Sequence, residues 1–292
     1  MGGRLIRALT TDKQIRALTV DSTEVVRTAR KYHRTTPVAT AALGRVLSAA
    51  LMMGSMVKSG EVTSLKVEGD GPLGKIIAEA NQYGEVRGYV MNSGVETKIN
   101  SKGKLDVAGA VGKGYLIVRK KTGLKEPYEG KVPLVSGEIG EDLTYYFTKS
   151  EQIPSSVGLG VLVDRDMKVR AAGGFIIQLM PEAEEKTIQK MEKNLAIIKS
   201  PSRLIDNGLT AKDLMGKILG DFDYRILSSK EVKFKCQCNK EMIKDIMVSL
   251  GEEELKQTLQ KQGKVEIKCH FCGKKYKFNE KEIKKVLTQK NN

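Results

Sequence analysis

The residues able to do chemistry here are four cysteines, Cys236-Gln237-Cys238 and Cys269-His270-Phe271-Cys272, and the 292-residue chain has no others. Two close pairs flanking one short unit can bring four thiolates to one point, the donor set that tetrahedral zinc takes. Thiolates are also nucleophiles that oxidise, so the same residues fit a permanent staple or a reversible switch. His270 lies between ligand candidates, but four thiolates leave it no expected place on the metal. Two pairwise disulfides are the structural alternative, disfavoured as a resting state in a reducing compartment. The spacers differ. A two-residue spacer leaves backbone amides free to hydrogen-bond the sulfurs, whereas C-x-C makes a tighter chelate. Oxidised, that chelate must close a small, strained and readily reduced ring, which favours reversibility.

The surrounding sequence predicts the elements that must position these cysteines. Residues 231–235 read as a strand leading into Cys236. Asn239 is placed to cap a helix bearing Met242, Ile243, Ile246, Met247 and Leu250. A second helix is expected over 252–261, ending at Gly263. Residues 265–268 form a strand that delivers the second pair, and Tyr276-Lys277-Phe278 returns beside it. Asn279 and Glu282 have the spacing of a capping box. A segment this short has a marginal core, and zinc, at roughly 10–16 kcal/mol of apparent binding energy in finger peptides, would staple it.

Upstream, Pro181 marks a shift in composition. Residues 182–199 are charged, with Ile188, Met191, Leu195 and Ile198 on one stripe. A second helix opens at Leu209-Thr210 and carries Leu214, Met215, Ile218 and Leu219. Each stripe needs a surface to cover, so the segment is either an ordinary connector or an element docked in one state and released in another.

The first 180 residues alternate strand and helix patterns. Arg4–Leu9 and Ile15–Val20 read as strands, and Asp21 with Glu24 as a capping box opening a helix that His33 ends. Pro37 starts a helix with a small-residue face, and residues 136–151 have helical spacing. Gly69-Asp70-Gly71-Pro72-Leu73-Gly74 matches the dinucleotide fingerprint literally, but no helix follows it, so three strands joined by glycine turns are expected instead. The fold class is therefore α+β: a mixed sheet-and-helix domain over 1–180, an amphipathic helical linker over 181–230, and a small zinc-binding domain over 231–292.

Composition excludes several classes. Two histidines, and no cysteine before Cys236, leave no Ser/His/Asp or Cys/His set, and no Walker loop is present, so enzyme chemistry by those routes is not expected. The apolar run 38–57 is broken by Gly44, Arg45, Gly54 and serines, and reads as a buried helix rather than a membrane span. Absence of an export-signal pattern and the clustered thiols together favour the cytoplasm. The net charge of +15 admits a basic zinc-ribbon nucleic-acid-binding protein as the alternative. Yet residues 231–292 hold 15 Lys against 9 acidic residues, so the excess is spread along the chain, which favours a solvated lysine-rich surface.

With its C-x-C and C-x-x-C pairs, Glu68–Gly74, Ser155–Val161 and Gly173–Pro181, the chain resembles, over essentially its whole length, the redox-regulated heat-shock protein 33 (33 kDa chaperonin) family. The resemblance implies an ATP-independent holdase. Reduced, it would be a monomer with one zinc on Cys236, Cys238, Cys269 and Cys272. Oxidised, it would lose zinc, form Cys236–Cys238 and Cys269–Cys272 disulfides, unfold its switch domain and linker, dimerise, and hold unfolding client proteins.

Overall fold

The computed structural model describes residues 2–121, 127–249, 255, 257–259 and 263–283, and the chain divides into two compact units, Met1–Lys235 and Cys236–Asn292. In the first unit the chain runs β1 (Arg4–Thr10), β2 (Ile15–Asp21), α1 (Thr23–His33), α2 (Pro37–Gly54), β3 (Val62–Gly69), β4 (Lys75–Asn81) and β5 (Glu85–Val90). It continues through α3 (Val107–Val111), β6 (Gly114–Lys121), β7 (Tyr128–Pro133), α4 (Gly140–Lys149), β8 (Ser155–Val163) and β9 (Val169–Leu179). Three helices follow, α5 (Glu185–Ala196), α6 (Pro201–Asp206) and α7 (Ala211–Leu219), then β10 (Tyr224–Glu231) and β11 (Lys233–Phe234). The architecture is α+β, as the alternation of periodicities predicts.

Two sheets hold this unit. One has the strand order β10-β1-β2-β9-β8 and the other β11-β5-β4-β3-β6-β7. The main core joins α2 to the inward residues of both, among them Leu18 and Val20 from one sheet and Leu65, Val67, Ile76 and Ala78 from the other. Helix α2 is long and apolar enough to cross a membrane, but 89% of it is buried within the fold, as the broken apolar run predicts. A Cβ at Gly44 would sit 2.7 Å from Val161 Cγ2, so glycine permits this close approach.

The Gly69–Gly74 stretch is the turn between antiparallel β3 and β4, with Gly74 at φ +66°. Three strands joined by turns occupy the region, and the nucleotide reading fails for the reason anticipated. The expected Asp21/Glu24 capping box is not present. Ser22 is the N-cap, Asp21 Oδ1 instead accepts from Thr23 N (3.0 Å) and Oγ1 (2.7 Å), and Glu24 pairs with Arg27. His33 does end α1, where its Nε2 lies 3.0 Å from the Gly88 carbonyl. The helix expected over 136–151 begins only at Gly140, because Asp142 draws in the backbone N–H groups of Val135, Ser136, Gly137 and Ile139.

Residues 181–230 lie within the first unit. The face of the five-stranded sheet opposite α2 presents Ile6, Ala8, Ile15, Ala17, Phe175 and Ile177. Met191, Leu214, Met215, Ile218 and Leu219 bury themselves on it, Leu195 packs at its margin, and Ile188 is half-buried. The stripes therefore have the covered surface their pattern requires. Thr210 and Asp213 cap α7 reciprocally, Thr210 Oγ1 accepting from Asp213 N at 3.2 Å and Asp213 Oδ2 accepting from Thr210 N at 2.9 Å.

In the second unit, α8 (Lys240–Ser249) precedes an antiparallel hairpin of β12 (Val265–Lys268) and β13 (Lys275–Phe278). The strand expected over 231–235 is instead the end of β10 followed by β11, both in the first unit. The helix expected over 252–261 falls largely outside the described residues.

Candidate metal centre

Two local devices present the cysteine pairs. Asn239 Oδ1 accepts from Met242 N at 2.8 Å, so α8 starts directly after Cys238, as the sequence predicts. On the other side, the β12–β13 connection curls back on itself. Gly273 N donates to Cys269 O at 2.8 Å, Cys269 N donates to Lys274 O at 2.9 Å, and Gly273 takes φ +73°, a region glycine enters without strain. The capping box at Asn279 forms in both directions, at 3.1 and 3.0 Å. Beneath the cysteines lies a small apolar cluster of Ile243, Met247, Leu255, Val265, Tyr276, Phe278 and Ile283.

The four Sγ atoms all lie within 4.8 Å of one another, with Cys236 and Cys269 at 3.7 Å and Cys238 and Cys272 at 3.4 Å. Zn–S bonds of ~2.3 Å in a tetrahedron place sulfurs ~3.8 Å apart, so these spacings fit such an ion. All four thiols are free; Cys269 is buried and the other three are half-buried. The exposed His270 is not part of the group. A centre able to hold a metal ion is therefore formed by the four cysteines the sequence singles out.

The thiols are not equivalent. Burial pushes Cys236 and Cys272 up, although Cys236 accepts a backbone hydrogen bond from Cys238 and Cys272 one from Lys274. Burial also acts upward on Cys238, but hydrogen bonds from Tyr276 and the neighbouring thiols outweigh it and bring it down to about 7. The Tyr276 hydroxyl lies 2.9 Å from Cys238 O and 3.2 Å from Cys238 Sγ. Sequence reasoning placed Tyr276 only as a strand residue; its hydroxyl at an otherwise buried position, close after Cys272, was the signal available.

A family model described as "Hsp33 protein" matches residues 3–279. The chain is 49% identical to the 33 kDa chaperonin of Geobacillus kaustophilus (strain HTA426) over 287 residues, 98% of each chain. It is 46% identical to the 33 kDa chaperonin of Lachnoclostridium phytofermentans, with both chains covered in full. The crystal structure of the 33 kDa chaperonin (heat shock protein 33 homolog) from Thermotoga maritima superposes with a TM-score of 0.92 at 39% identity, covering 100% of this chain and 99% of that one. With its family model, its relatives and its fold in agreement over nearly every residue, the chain belongs to the Hsp33 family.

Proposed function

We propose that this chaperone is a redox-regulated, ATP-independent holdase in which Cys236, Cys238, Cys269 and Cys272 hold one zinc ion when reduced. The observation that carries the proposal is the gathering of four free thiols within 4.8 Å on a unit whose own apolar cluster is small. Zinc would supply a fourfold crosslink to that cluster. Two-electron oxidation of each pair, to Cys236–Cys238 and Cys269–Cys272 disulfides, removes the thiolate donors and with them the crosslink.

In this reading residues 231–292 are the switch, 181–230 the conditional cover, and 1–180 the core domain. Helices α5 and α7 supply the apolar stripe that leaves, and the Ile6, Ala8, Ile15, Ala17, Phe175 and Ile177 face is what their departure uncovers. Unfolding client proteins are the partners, the oxidised chain is a homodimer and the reduced one a monomer, and the compartment is the cytoplasm. The test is to add peroxide at elevated temperature and follow zinc release alongside suppression of a client's aggregation. Both should occur together; zinc release without suppression overturns the reading.

A further inference from the structure

A Zn(Cys)4 centre carries two net negative charges, and hydrogen bonds donated to its sulfurs spread that charge and blunt their nucleophilicity. Two of the donors are main-chain N–H groups, that of Cys238 to Cys236 and that of Lys274 to Cys272. Substitution at those positions leaves such donors in place. Cys238 differs, because its donor is a side chain. The Tyr276 hydroxyl sits within hydrogen-bonding distance of both the Cys238 carbonyl and its sulfur. The rest of the side chain is fixed for the purpose. Tyr276 is 6% exposed in the apolar cluster, it pairs with Ile267 across the hairpin, and Lys274 Nζ lies 5.2 Å from its ring centre.

We infer that Tyr276 is a positioning residue for the redox chemistry of this centre: its hydroxyl pins the C-x-C loop through the Cys238 carbonyl and restrains the attack of the Cys238 sulfur on oxidants. The restrained step is the first of two. The sulfur attacks one oxygen of a peroxide, the O–O bond breaks, and a sulfenic acid forms while the leaving hydroxide takes a proton to become water. A neighbouring thiolate then attacks the sulfenic sulfur, the S–S bond forms as the S–O bond breaks, and the expelled hydroxide takes a second proton from solvent to become water. Two thiolates thus give two electrons to one peroxide, and removing the Tyr276 donor speeds the first attack.

The inference rests on the zinc-switch reading, and the test separates the two. In the full-length, zinc-loaded chain, peroxide-driven zinc release is followed with a chromophoric chelator. Iodoacetamide labelling of each cysteine is followed by peptide mass spectrometry. Tyr276→Phe should speed zinc release and Cys238 labelling about three- to tenfold, the factor that one hydrogen bond of ordinary net strength carries. Cys269 labelling should change less. Equal Cys238 labelling in Tyr276→Phe and wild type overturns the inference while leaving the switch intact. A wild-type chain that binds no zinc, or keeps it under peroxide, overturns the switch itself. Should Tyr276→Phe fail to fold, 3-fluorotyrosine at position 276, a stronger donor, must slow Cys238 labelling below wild type; no slowing overturns the inference.

Discussion

Two single carboxylates act in opposite settings, Asp142 gathering a loop and Glu68 bridging strands β3 and β4. Asp142 is 1% exposed and accepts from four backbone N–H groups at 2.8–3.2 Å, those of Val135, Ser136, Gly137 and Ile139. Replacing it with alanine strands those donors, and we expect Asp142→Ala to lose about 3 kcal/mol in urea unfolding, with Asp142→Asn losing about half as much. A loss below about 1 kcal/mol for the alanine variant would show that water takes over the loop. Glu68 lies at the surface, where hydrogen bonds from Lys66 and then Lys75 hold its carboxyl down to about 2 from an ordinary 4.5. A depressed carboxylate stabilises the fold above its ordinary value and stops doing so as the pH falls through the folded one. The melting difference between wild type and Glu68→Gln should therefore hold steady at neutral pH and shrink on acidification from about pH 4.5 toward 2. A difference that grew with acid would refute the pairing. The cysteines were legible in sequence because the spacing of identical ligands is itself a geometric statement. Asp142 was not, since an acid in a helical pattern looks solvated until the left-handed turn at Gly137 aims its loop's N–H groups inward.

At the scale of elements, periodicity shows wherever one face is buried and fades where neither is. Helices α5 and α7 could be read from their stripes because each buries one side on the sheet. Strand β10 leaves no clear pattern in the sequence because it is an edge strand, paired among the described residues only with β1, with neighbouring Ile226 and Leu227 exposed at 41% and 45% in place of alternation. Helix α6, at six residues, is too short to display a period. The stripe on α7 makes a sharp test of the cover. Ile218 is fully buried against the sheet face, and an aspartate there would bury an unpaired charge at a cost of about 3–5 kcal/mol. The helix should leave the sheet before that cost is met. Zinc-loaded Ile218→Asp should then bind a hydrophobic dye, become protease-sensitive over residues 185–219, and suppress client aggregation without oxidant. A variant with full zinc that stays dye-dark and inactive would show that the covered face is not the client surface.

Across the whole molecule, the chain path constrains how the cysteines can act on the cover. Helices α5–α7 leave from β9 and return into β10, so both ends of the cover are held by the same sheet. The chain then crosses to the other sheet, where β11 runs parallel to β5, Lys233 N donates to Gly84 O at 3.0 Å, and Lys235 N donates to Val86 O at 2.8 Å. The Phe234 ring stands edge-on to Tyr32, with centres 5.5 Å apart, and Lys235 pairs with Glu85 at 2.5 Å. Cys236 follows immediately. Along the chain this two-residue strand lies between the cysteines and β10. Such a short strand is a weak tie, and in the proposed switch it is where heat would add to oxidation. Phe234→Ala should weaken the tie by about 2 kcal/mol through lost ring packing. The temperature at which residues 185–219 lose amide-exchange protection after zinc chelation, in the reduced full-length chain, should then fall by roughly 5 °C. Zinc affinity at low temperature should not change, because Phe234 contributes no ligand. If that temperature stays where it is in wild type, the cysteines do not signal through β11.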